Sequence, residues 1–364
     1  MLSKTFLALA TLATAVLAAP GPLAPPKPAG GNSNASSPPP EYKPMSDFDF
    51  QSLNLALNQE WIELDLFNYG LARFSDAEFD AQGIDAEQRE LIRFMAQQEI
   101  GHANLISNIL QGAGAKQCTY SYNFNSVPEF IQFCAILTRF GESGVYGFLP
   151  ALDSRPAAQL LLQSISTEAR QQMAFRQLAG AFPMPVSFEA GISQSMAWTL
   201  LSPYLISCPQ ENPRIQWSRF PTLNVLNNPN LTAEGVPSAL STNRTQLTSP
   251  GYNIEVTYDA PGQNVSYNNS YMTVLGSNVT QTENLTCNFI SQLNTTTSPF
   301  VRQSNGSGYC TIPEGQVYEG VYDNPIINGT NFLLLTSEEL YVTPYNLSLL
   351  DAVVVAGPQV IVYG

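Results

Sequence analysis

The sequence predicts an α+β, multidomain chain: a four-helix bundle with a fifth helical segment, followed by a β-rich or irregular N-glycosylated half. Three observations predict it. From about residue 46 to 206 apolar residues recur at spacings of three and four, as helices with one buried face require. After about residue 207 this period gives way to short alternating runs separated by Asn, Thr, Ser and Gly, the texture of strands and loops. The acceptor signals for N-glycosylation crowd into that second half and are absent from the helical stretch.

Residues 1–19 read MLSKTFLALATLATAVLAA, with Lys4 ahead of an apolar run and the small residues Val16 and Ala18 at −3 and −1 of a cleavage point. This predicts a secretory signal peptide, too short to span a bilayer. Residues 20–45, rich in Pro, Gly, Ser and Asn, predict a disordered linker. A first helix follows, capped by Asp47 or Asp49, with Leu53, Leu57, Trp61, Leu64 and Phe67 on one stripe. Asp85 opens a second, with Leu91, Phe94, Met95, Ile106 and Ile109 expected inward, and Gly112 and Gly114 close it. Residues 115–127 show no helical period. Pro128 opens a third helix through Phe130, Ile131, Cys134 and Leu137. Arg155-Pro156 opens a fourth, with Leu160, Leu161, Ile165, Met173 and Phe175. The fifth segment is expected over 188–205, after Pro183 and Pro185. A long connection between the second and third helices suits two antiparallel helix pairs joined by a crossover.

In the second domain, 207–364, alternation is clearest at 254–258, 332–335 and 353–362. The last run is interrupted by Gly357-Pro358 and reads as strand, not as a membrane anchor. Sequons stand at Asn230, Asn243, Asn264, Asn268, Asn278, Asn284, Asn294, Asn305, Asn328 and Asn346, with one more at Asn34 in the linker. Five cysteines in a secreted chain leave at least one thiol free or paired with another chain. The expected bridges are Cys287–Cys310, close in sequence, and Cys118–Cys208, each beyond the end of a helix, with Cys134 a buried thiol in an apolar helical run. A formal net charge of −14 and a pI near 4.4 argue against nucleic acid and anionic membrane surfaces as partners. Nothing in the chain fixes an oligomeric state.

His102 is the one histidine, in the pattern Glu99-x-x-His102. On a helix this spacing means about 60° of rotation and ~4.5 Å of rise, so both side chains can grip one ion. Each of the other three core helices carries a glutamate in an apolar setting: Glu60, Glu142 and Glu168. Buried carboxylates need a partner or a metal, and oxygen donors with one nitrogen suit iron or manganese. Two readings stand. The four carboxylates and the imidazole converge on metal, or Glu142 pairs with Arg139 one turn earlier and Glu168 with an arginine across the bundle. Glu63 and Asp65 add acidic groups on other faces of the first helix.

The stretches Leu53-x-x-Ala56-Leu57-x-x-Glu60, Gln98-Glu99-x-x-His102, Phe140-Gly141-Glu142-Ser143-Gly144, Glu168-Ala169-Arg170-Gln171-Gln172 and 195–201 (SMAWTLL) together resemble the fungal secreted ferritin-like proteins. That family includes the stress-response (Rds-type) and late-sexual-development proteins. The likeness covers roughly 46–220. By that resemblance Glu60, Glu99, His102, Glu142 and Glu168 take the ligand positions of a di-iron carboxylate bundle, and Gln171, where a second Glu-x-x-His would place histidine, is expected as a weak ligand or as a group supporting the ligands.

Two functions compete. One is a metal-dependent redox or metal-handling protein with iron, as one or two ions, or manganese in the bundle. The other is a cell-wall or extracellular-matrix glycoprotein that keeps the fold without metal chemistry. A single histidine and the lack of a Gly-x-Ser-x-Gly elbow argue against a serine or cysteine hydrolase, and a glycosylated half-chain argues against a storage cage.

Overall fold

Ser46, rather than Asp47 or Asp49, caps the first helix of the computed structural model, which describes residues 39–229, 247–260, 279, 283–314 and 329–362. The Ser46 side chain accepts from the Asp49 amide. The buried Asp49 carboxylate is thereby free for another task. It accepts from the amides of Met45, Asp153 and Ser154, each at 2.9 Å, and so ties the start of the first helix to the start of the last long one.

The helices are α1 (Asp47–Arg73), α2 (Asp76–Asp80), α3 (Ala86–Ile109), α4 (Val127–Phe148), α5 (Arg155–Leu178) and α6 (Gln194–Leu201). Asp85 and Gln88 form a reciprocal capping box at α3, and Ser126 and Ser154 cap α4 and α5, each with proline in the first turn. The short α2, capped by Ser75 and Glu78, is invisible to periodicity because one turn carries none.

Two expectations are corrected. On α3, Leu91 and Phe94 are 42% and 61% exposed, because the buried stripe runs through Ile92, Met95, Ala96, Glu99, His102, Ala103 and Ile106. The fifth helix is also shorter than expected. Residues 182–193 are non-helical and Phe188 is exposed; prolines 183 and 185 each lack an amide donor. What remains, α6, is buried all round. Gly147 of α4 allows the chain before α6 to lie against it: a Cβ there would meet the Ile192 carbonyl oxygen at 1.7 Å.

The long α3–α4 connection holds β1 (Thr119–Tyr120), which pairs antiparallel with β2 (Leu205–Ser207). The Cys118–Cys208 disulfide sits beside this ribbon. Beyond it come β3 (Leu223–Val225), β4 (Asn253–Tyr258), β5 (Thr286–Ser291), β6 (Asn294–Ser304), β7 (Ser307–Thr311), β8 (Thr330–Thr336) and β9 (Val354–Val362), in the antiparallel order β3-β4-β7-β6-β5-β8-β9. The sheet curls until its edges meet, with the Gly357 amide donating to Pro221 O at 2.9 Å and the Asn228 side chain bridging Val360 O and the Val362 amide.

Alternation along β8 and β9 splits their side chains between two cores. Phe332, Leu334, Val360 and Val362 join Trp198, Met196 and the helical apolar residues. Leu333, Leu335 and Ile361 join Phe289, Ile254 and the Cys287–Cys310 disulfide inside the curl. The helical and β-rich parts thus share one continuous apolar layer. Cys134 is a buried free thiol. Asn284 and Asn305 are exposed, and Asn294 and Asn346 are partly so. Asn34, Asn230, Asn243, Asn264, Asn268, Asn278 and Asn328, the expected signal peptide, and the linker up to residue 38 lie outside the described residues. Among the described residues no helix is long and apolar enough to cross a membrane.

Candidate metal centre

Three helices meet at His102. α3 supplies Glu99 and His102 one turn apart, α1 supplies Glu60, and α5 supplies Glu168. One ligating atom from each of these four buried residues lies within 4.8 Å of all the others. His102 Nδ1 faces the carboxylates, 3.0 Å from Glu99 Oε2, 3.2 Å from Glu60 Oε2 and 3.9 Å from Glu168 Oε1. His102 is itself only 8% exposed. Gln171, one turn beyond Glu168, donates its side-chain amide to Glu99 Oε1 and to Gln98 Oε1. It therefore braces a ligand candidate from the place where the di-iron pattern has a second histidine.

Glu142 does not join them. Its carboxylate pairs with Arg139 on the preceding turn of α4 and accepts from the Tyr146 hydroxyl at 2.7 Å. Arg139 is also paired with Glu189. For Glu142 this is the ion pair of the second reading, and it sets this residue apart from the group around His102, whereas Glu168 joins that group and not an arginine. The carboxylate that reasoning passed over is Glu63. It is fully buried, and its Oε1 accepts from Gln59 Nε2 at 2.8 Å. Glu60 and Glu63 are three apart on α1, the same spacing as Glu99 and His102, so both can face inward. That spacing was the available signal.

Electrostatics bind the group together. Burial pushes the Glu60, Glu63 and Glu168 carboxyls well above the usual carboxylate range, and like charges among Glu60, Glu63 and Glu99 push further. Burial works against a charged His102, but Glu99, Glu168 and Glu63 outweigh it and raise its pKa. Among the described residues, His102 is the one basic side chain within ion-pair distance of these carboxylates. Glu63 Oε2, Glu168 Oε2 and Gln171 Oε1 are buried acceptors with no hydrogen-bond partner. Clustered carboxylates, one imidazole and orphaned acceptor oxygens suit a hard or borderline cation.

The helical part, residues 48–181, matches a family model described as a ferritin-like domain. The chain is also 51% identical over 348 residues to protein rds1 of Schizosaccharomyces pombe (strain 972), covering 92% of this chain and 85% of that protein. The chain belongs to the Rds1 family. The alignment to Rds1 therefore extends through the β-rich part as well as the bundle, whereas the ferritin-like match ends before α6. Within this Rds1-family fold the α4 position that the resemblance assigned to a ligand, Glu142, serves an internal ion pair instead.

Proposed function

We propose that this protein is a secreted ferritin-like glycoprotein that binds iron or manganese in its helical bundle and acts in metal handling or the response to oxidative stress. The observation that carries it is the buried group Glu60, Glu99, His102 and Glu168, four candidate ligands on three helices with orphaned acceptor oxygens beside them. Bound iron or manganese would supply one-electron redox chemistry in a site closed to bulk water. The chain's own residues hold and orient it. Glu60, Glu99 and Glu168 offer oxygen atoms, His102 offers Nδ1, Glu63 adds negative charge from the α1 side, and Gln171 fixes the Glu99 carboxylate. Titrating metal-free protein with Mn(II) should give saturable binding with release of protons, because the raised carboxyls surrender theirs to the metal. Glu99→Gln should abolish it. A wild-type protein that shows no saturable binding would overturn the reading.

Two disulfides are compatible with an extracellular setting. Secretion, the 46–206 and 207–364 domain division, glycosylation at the sequons and cell-wall or matrix association are part of the same proposal. The exposed Asn284 and Asn305, the latter in the β6–β7 turn, are open to glycan attachment. Endoglycosidase treatment of the secreted protein should collapse a broad, heavy gel band to a sharp one; a band unchanged by the enzyme would sink the glycoprotein claim. The non-metal structural reading is favoured by one observation, that α4 gives no carboxylate to the cluster.

A further inference from the structure

We propose that Thr167 is a positioning residue that holds the proton of His102 on Nε2 and so keeps Nδ1 turned, as a lone pair, toward the cation site. The proposal rests on the metal reading above, but its first test does not.

His102 Nε2 lies 2.9 Å from Thr167 Oγ1, on the side of the ring away from the carboxylates. A hydroxyl has one proton to donate and two lone pairs to accept with. The Thr167 proton is already committed: Oγ1 donates to the Ser164 carbonyl, one turn earlier on α5, at 2.7 Å. A helical threonine makes this bond to its own backbone readily. What remains at Oγ1 facing the ring is a lone pair, so the partner nitrogen must bring the hydrogen. Nε2–H then donates to Thr167, and Nδ1 carries no proton unless the ring is charged. The nitrogen left free is the one 3.0 Å from Glu99 and 3.2 Å from Glu60. The other ring nitrogen of a metal-bound histidine commonly donates to such a group, which sets its tautomer and orientation.

Position on the helix makes the arrangement economical. Thr167 directly precedes Glu168, and Gln171 lies one turn on, so one stretch of α5 supplies a ligand candidate, the brace of Glu99 and the acceptor for His102. The Thr167 methyl is not required by this account; the hydroxyl is. Valine, which keeps the shape and removes the acceptor, should disable the device, and serine should keep it.

The single histidine makes the test direct. Full-length secreted protein carrying ring-15N histidine gives one imidazole signal pair, with no assignment needed. In metal-free wild type and Thr167→Ser, Nε2 should stay protonated at every pH at which the protein is folded. In Thr167→Val the proton should redistribute toward Nδ1, where Glu60 and Glu99 can accept it. Mn(II) affinity should fall by ~10- to 100-fold in Thr167→Val and stay near wild type in Thr167→Ser. A wild-type neutral ring protonated on Nδ1 overturns the proposal, as does a Thr167→Val protein that is folded by circular dichroism and matches wild type in ring signals and affinity. If wild type binds no Mn(II), the metal reading fails, and the ring signals still decide the role of Thr167.

Discussion

Glu168→Gln should raise the stability of the metal-free protein at neutral pH by about 1–3 kcal/mol while removing most of its affinity for divalent metal. Glu168 is buried, its Oε2 has no hydrogen-bond partner, and its one basic neighbour within ion-pair distance among the described residues, His102 Nδ1, is 3.9 Å from Oε1. The isosteric amide therefore removes a desolvated charge while giving up little hydrogen bonding. The pH dependence gives a second handle. Glu60, Glu63 and Glu168 have folded-state pKa values above the ordinary 4.5, so the folded protein binds protons that the unfolded chain releases. Their stabilising contribution is present below about pH 4.5 and is lost as the pH rises through their folded-state values. His102, raised above 6.5, acts in the same direction: its contribution is present in acid and lost as pH rises. Metal-free wild type should thus lose stability from acid toward alkaline pH, and Glu168→Gln should show a shallower fall. Thermal unfolding across that range, with and without Mn(II), checks both parts. Wild type that becomes more stable with rising pH in the metal-free state would contradict the cluster's electrostatics.

Arg139→Met should destabilise the protein by about 3–5 kcal/mol, the cost of leaving a buried charge unpaired. Arg139 sits between Glu142, which is fully buried, and the half-buried Glu189, and it pairs with both. Without the guanidinium, Glu142 retains only the Tyr146 hydroxyl. The double variant Arg139→Met/Glu142→Gln should recover much of the loss, because glutamine keeps a carbonyl for Tyr146 without the charge. Glu142→Gln alone should be mildly destabilising, since it strips Arg139 of one partner, and should leave Mn(II) binding unchanged. Urea midpoints for the four proteins give the coupling directly. A Glu142→Gln protein that loses metal binding would return this residue to the ligand set.

The limits of the sequence reading have physical causes. The long helices are legible because three-four spacing and cap residues act locally: Asp85 with Gln88, and Ser154 ahead of Arg155-Pro156. Leu91 and Phe94 mislead because hydrophobicity says what can be buried, while the stripe through Glu99 and His102 decides what is. The strands at 254–258 and 332–335 were legible as alternation, and their partners were not, since pairing joins residues as distant as Asn253 and Thr311. At the site, Glu99 and His102 share one local motif, and burial of Glu60 and Glu168 followed from their apolar settings. Whether α1 turns Glu63 inward, and whether α4 spends Glu142 on Arg139, depends on helix rotation. Spacing alone constrains that weakly when acidic residues lie on more than one face.

The central claim is that the buried group on α1, α3 and α5 holds metal. Elemental analysis of the protein, purified without chelator and again after incubation with Fe(II) or Mn(II) and desalting, tests it most directly. The account predicts at least about one iron or manganese per chain in wild type, retained through desalting, and near-complete loss in a folded His102→Ala protein, which lacks the only imidazole ligand. Wild type that emerges free of iron and manganese from both preparations, or His102→Ala that keeps the same metal content, would contradict it.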